Sequence, residues 1–182
     1  MLIENTIFYE ENMRLFHVSE DSNIETFIPI IPYRKDMDQN TGVVWALCER
    51  TLPNFLTPRD CPRVTFHVGP QTKKDDINRY FLSPRVNHCV AIEYRWLDTL
   101  LNTELTIYEF DPKNFELQDE IAGFYISKET EVPINKFKVT HIIDELFRRN
   151  VELRILPEII SLRDEIIETS FNWSMCRIKN AK

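Results

Sequence analysis

Glycine is scarce in this chain, with three among 182 residues. Neither G-x-G-x-x-G nor G-x-x-x-x-G-K occurs, so the glycine-built phosphate cradles of Rossmann and P-loop proteins are excluded. The cysteines are few and scattered: Cys48, Cys61, Cys89 and Cys176 form no C-x-x-C and no Cys/His pair at finger spacing. That pattern excludes a structural zinc site and fits reduced thiols in a cytoplasmic protein. Long hydrophobic runs are missing too, and none approaches the ~18 apolar residues that a membrane span requires. The opening "MLIENTIFYEENM" lacks the basic start and small-residue cleavage site of a secretory signal.

Positive charge is also in deficit. Against 29 acidic residues stand 22 basic ones, a formal charge of −7. Because phosphate neutralisation supplies most non-specific affinity, nucleic acid is disfavoured as a partner. Arg59 with Arg63, Arg148 with Arg149, and Arg177 with Lys179 and Lys182 are local clusters that read as solvated charge. No G-x-S-x-G elbow and no H-E-x-x-H occurs, and the four histidines lack metal-ligand spacing. No catalytic residue and no metal ligand can be assigned from spacing, and the oligomeric state stays open.

What is present is apolar and aromatic: 43% hydrophobic residues, twelve of them Phe. The length suits a single domain, 1–182, with residues 1–12 expected as a loosely attached extension. Short β-favouring runs dominate the first two-thirds: "RLFHVSE", "VVWAL" (43–47), "RVTFHV" (63–68), "HCVAIEY" (88–94), "ELTIYEFD" (104–111) and "GFYISKETEVPI" (123–134). "TKKDDINRYFLSP" reads as polar surface, and "RWLDTLLN" as a short helix. Later, "HIIDELFRRNV" and "PEIISLRDEIIETS" carry apolar residues at helical spacing around the strand "VELRIL" (151–156), and "NWSMCRIKN" closes as a strand. The expectation is an α+β fold of mixed, mostly antiparallel sheets with two amphipathic helices late in the chain.

Two places invite a binding role. In "RLFHVSE", strand alternation puts Leu15, His17 and Ser19 on one face, and Arg14, Phe16 and Val18 on the other. The segment "WALCERTLPNFLTPRDCPRV" sets Trp45, Arg50, Asn54, Arg59, Asp60 and Arg63 in a proline-stiffened loop between strands. Its arginines could clamp a carboxylate or phosphate, or Asp60 could pair with Arg59 or Arg63 and merely pin the loop. His67 and His88 sit at strand ends, where a hydrogen-bonded structural role is the expectation, and His141 stands at a helix start. The carboxylates Glu93, Glu109, Glu116, Glu120, Glu129 and Glu131 are expected mostly as solvent-facing strand members.

The wording "RLFHVSED..I..F.P", "GVVWA", "LPNFLTPRDCPRVTF", "IYEFDP" and "VELRI" resembles an uncharacterised bacterial family of small single-domain proteins, which implies no activity. More remotely, a first strand of the form L-[FY]-H, an irregular loop and a second strand "VWA" are similar to the ADP-ribosyltransferase-like fold of tRNA 2′-phosphotransferases and DNA-targeting toxins. This resemblance implies that His17 bonds the ribose of an NAD-like nucleotide, with Ser19 on the same face and Trp45 as a stacking surface. It further implies a glutamate on a late strand that steadies the ribosyl transition state. The matching stretch is Ala122-Gly123-Phe124-Tyr125-Ile126-Ser127, running on to Val132-Pro133, and Gly123 stands where that glutamate belongs.

Three functional readings follow. The first is a small-molecule or nucleotide-binding domain that uses His17, Ser19, Trp45, Arg59 and Tyr125 and lacks the transferase glutamate. The second is a non-enzymatic interaction or homo-oligomeric module displaying Phe8, Tyr9, Trp96 or Trp173. The third is an active transferase with a displaced acid, Glu129 or Glu131.

Overall fold

The first run, "RLFHVSE", folds as β1 over Leu15–Ser19, in a computed structural model that describes residues 13–33, 35 and 37–182. The expectation for residues 1–12, Phe8 and Tyr9 included, lies outside the described residues. The remaining strands are β2 (Val44–Cys48), β3 (Arg63–His67), β4 (His88–Glu93), β5 (Leu105–Phe110), β6 (Glu116–Asp119), β7 (Phe124–Ser127), β8 (Asn135–Val139), β9 (Val151–Leu156) and β10 (Asn172–Cys176). The helices are α1 (Lys74–Tyr80), α2 (Leu97–Asn102), α3 (Ile142–Arg148) and α4 (Ile160–Ile166).

The chain is α+β, and among the described residues all strand pairings but one are antiparallel; β4 and β9 run parallel. One sheet has the order β6-β7-β2-β1-β5-β8 and the other β10-β3-β4-β9.

Three layers of apolar packing follow from strand alternation. Between the sheets, Phe16, Leu105 and Ile107 meet Val90, Ile92 and Val151, together with Leu100 of α2 and Leu146 of α3. On the far side of the four-stranded sheet, Val64, Phe66 and Ala91 pack with Ile159 and Ile166. On the outer face of the six-stranded sheet, Leu15, Val44, Ala46, Tyr108 and Phe110 are covered by Phe27 and Ile24. Burial of this apolar area is the dominant favourable term, at about 25 cal/mol per Å².

One expectation is corrected, and two elements come in addition to those expected. The segment read as polar surface is indeed largely exposed, and it forms α1, because Asp75 and Asp76 favour its first turn and Tyr80 is buried beneath it. Asp76 also accepts the Ser170 amide at 2.8 Å, tying the helix to the chain ahead of β10. The single strand expected over 123–134 is shorter: β7 stops at Ser127, and β8 starts only after Pro133. β6, not among the expected strands, is an exposed edge strand whose solvent-facing pattern carries no apolar alternation to betray it.

Candidate functional site

β1 pairs with β5 along its whole length, but with β2 only at Leu15↔Cys48 and Phe16↔Leu47. Beyond that point the two strands part. There the His17 ring enters, and its Nδ1–H donates to the Trp45 carbonyl at 3.0 Å. A carbonyl can only accept, so the neutral ring carries its proton on Nδ1 and leaves Nε2 as a bare acceptor. Burial lowers the proton affinity of His17, the Trp45 carbonyl opposes that, and the nearby Arg59 charge lowers it again. The Phe27 ring, 4.9 Å away between centroids, covers one side of the imidazole.

The strand faces divide the other expected residues. Tyr125 pairs across from Ala46 and so shares the His17 face, two strands away. Trp45 is directed to the opposite face, where it meets Phe124 edge-on at 5.4 Å, and Phe124 in turn meets Phe55 at 5.8 Å. These three aromatics are half-buried. The opening in the ladder therefore has His17 on one side and an aromatic trio on the other. Ser19 turns its hydroxyl to its own loop, accepting the Asp21 amide at 3.1 Å.

Arg59 is held beside β1 by its backbone, whose N–H donates to Glu20 Oε1 at 2.8 Å and whose carbonyl accepts from Arg177 at 3.2 Å. Its guanidinium is exposed and has no ion-pair partner among the described residues. Asp60 lies 3.8 Å from Arg177, not against Arg59 or Arg63. What pins the loop is Arg63. It is buried, and donates to the carbonyls of Asn54 at 2.5 Å and Cys61 at 3.0 Å. It also lies over the Phe55 ring. Arg63 thus holds the loop from inside and is no part of an exposed anion clamp.

At Gly123 the backbone has φ +63°, and an added Cβ would lie 2.5 Å from both Cys48 Sγ and Thr51 Oγ1. A side chain at the position expected to hold a transferase glutamate would thus collide with Cys48 and Thr51 unless they shift. The expectation that the strand carboxylates mostly face solvent is corrected at three positions, because Glu93, Glu109 and Glu131 are buried. Glu93 takes Arg95 at 2.7 Å, and Glu109 takes Arg14 at 2.6 Å. Glu131 accepts from Ser127 Oγ at 2.5 Å, and its backbone pairs with Phe27, the residue that covers His17. Glu129 is exposed. Of the tryptophans considered for an interaction surface, Trp96 packs against the inter-sheet core, while Trp173 on the edge strand β10 is 39% exposed.

Sequence reasoning missed a second group. Arg50, His67, His88 and Arg149 line a cavity of about 280 Å³ where β3 ends and β4 and β9 begin. His67 and His88 face each other across the β3–β4 ladder, their rings stacked at 5.1 Å. His88 Nε2 bonds Asn54 Oδ1 at 2.7 Å, and Arg50 donates to His67 Nε2. The available signal was that one histidine closes a predicted strand and the other opens the next, so antiparallel pairing sets them side by side.

Among known families, a model described as a family of unknown function (DUF6886) matches residues 16–181. No curated protein and no solved structure matches the chain. Among the described residues, no helix is long and apolar enough to cross a membrane, and no group of His, Cys, Asp and Glu could hold a metal ion.

Proposed function

The chain belongs to that family of unknown function, and we propose that it is a ligand-binding protein that takes a nucleotide-like small molecule where β1 and β2 part. The observation that carries this reading is the bond from His17 to the Trp45 carbonyl, which orients a half-buried imidazole with Nε2 bare. Three features support it. The guanidinium of Arg59, without an ion-pair partner among the described residues, lies within electrostatic reach of His17 and suits a phosphate or carboxylate. The half-buried ring of Tyr125, on the same sheet face as His17, offers a stacking surface. And the first, second and late strands that an ADP-ribosyltransferase-like layout invokes are consecutive neighbours here, β1-β2-β7.

Transferase chemistry through position 123 is not part of this reading, because a side chain at Gly123 would collide with Cys48 and Thr51. The test is thermal denaturation with NAD and with ADP-ribose. A ligand held only by the native state raises the melting temperature. His17→Ala should remove that rise while the free protein stays folded, and no rise with either nucleotide at millimolar concentration refutes the reading.

A second reading, an active transferase with a displaced acid, is favoured by one observation: Glu131 shares Phe27 with His17. Nicotinamide release from NAD that is lost in Glu131→Gln would support it, and absence of release from the unmodified protein would dismiss it.

A further inference from the structure

We propose a second ligand site, distinct from the β1–β2 opening, in which Arg50, Arg149 and His67 hold the phosphate group of a small molecule. Arg50 is the central residue of this site. Its guanidinium is fixed by two neutral acceptors, His67 Nε2 and the Glu120 carbonyl, the latter at 2.7 Å. Among the described residues it has no ion-pair partner, so its position is set while its charge is left uncompensated. A guanidinium anchored in this way is pre-organised for an oxyanion, because the ordering cost is already met by the fold.

Two donors in the surrounding wall lack partners among the described residues. Arg50 can only donate, so His67 Nε2 must be the unprotonated nitrogen and the His67 proton must sit on Nδ1. Among the described residues that buried Nδ1–H has no acceptor, and neither has Arg149 Nε. A buried donor without a partner costs about 1–3 kcal/mol, so two of them among the residues lining one cavity are a reason to look for a missing acceptor. Arg149 places its other nitrogens against Glu145 at 2.9 Å and Glu49 at 3.6 Å, which hold its side chain in place. The one acid lining the cavity, Glu49, is shared between Arg149 and Arg14.

The donors come from three separate pieces of chain: the loop after β2, the end of β3 and the turn after α3. A tetrahedral phosphate presents oxygens in several directions and can meet donors so dispersed, whereas a carboxylate presents two in one plane. A volume of about 280 Å³ limits the occupant to free phosphate or a small phosphate monoester.

The experiment is thermal denaturation and calorimetric titration of the full chain with inorganic phosphate and with glycerol 3-phosphate, beside acetate and sodium chloride at matched ionic strength. Phosphate or its monoester should raise the melting temperature when chloride and acetate do not, and the tighter of the two identifies the source. Arg50→Gln should weaken that binding about tenfold or more, the loss of one charge-assisted contact. Arg50 is exposed, so this variant should fold, and His67→Gln provides a second with the same expected loss. His17→Ala should leave phosphate binding intact, which separates this site from the β1–β2 opening. No stabilisation beyond the chloride control, equal stabilisation by acetate, or undiminished binding in both Arg50→Gln and His67→Gln would overturn the proposal.

Discussion

His17 closes the end of a strand ladder by giving its Nδ1–H to the carbonyl of Trp45, 28 residues further along the chain. The bond does two things at once. It pairs a backbone acceptor at the point where β1 leaves β2, and it orients the ring so that Nε2 is the bare nitrogen. His17→Ala should therefore cost about 1–2 kcal/mol of stability in urea unfolding, because the Trp45 carbonyl loses its partner. An unchanged midpoint would mean that water replaces the imidazole without loss.

Gly123 is required by two independent constraints, a left-handed backbone and the contact with Cys48 and Thr51. Gly123→Ala should destabilise the protein by about 2–4 kcal/mol, the sum of conformational strain and overpacking. Gly123→Glu should lose more stability still and gain no nicotinamide release. A folded Gly123→Glu variant with wild-type melting would show that the loop at Thr51 yields.

The stacked histidines should make the protein acid-sensitive in a window of their own. Burial, the His88 ring and the Arg50 charge, in that order, push His67 down to about 3. Burial and Arg50 push His88 down to about 4. Arg149 and Glu49 line the same cavity. The unfolded chain takes up these protons near pH 6.5 and the folded one does not, so the stability present above that pH is lost as pH falls towards 4 and then 3. The slope is at most about 1.4 kcal/mol per pH unit for each histidine. His17, also lowered, adds to the same fall. Carboxylates held low by hydrogen bonds, such as Asp76 with Ser170, contribute only further into acid. Urea unfolding from about pH 7.5 down to pH 5 should show the fall, and His67→Gln should flatten it. A flat wild-type profile over that range would contradict neutral burial of the pair.

The thiols should divide two and two. Cys61 and Cys89 are fully buried, and burial pushes the Cys61 thiol up to about 12 and raises Cys89 as well. Cys48 and Cys176 are half-buried. Because the thiolate is the nucleophile and access is required, maleimide at neutral pH should label only Cys48 and Cys176 in the native protein, and all four in urea. Native labelling of Cys61 or Cys89, read by mass spectrometry, would reveal local opening of the inter-sheet core or of β4.

The amino-acid sequence by itself determined the local pattern. Alternation in "RLFHVSE" put His17 and Ser19 on one face, and the apolar spacing after Thr140 marked α3 and α4. Those properties depend only on neighbours a few residues away, through the pleat of a strand and the pitch of a helix. The edge strand β6 and helix α1 escaped because exposed elements carry little apolar periodicity. What only the tertiary structure decided is which distant residues meet: that β1 lies between β2 and β5, that its ladder with β2 opens after Phe16, that Trp45 turns away from the His17 face, and that Arg50 reaches His67 while Arg149 closes the same cavity. These are outcomes of non-local pairing and burial. Strand order follows from which apolar faces can cover one another, and in sheets that choice is made across the whole chain.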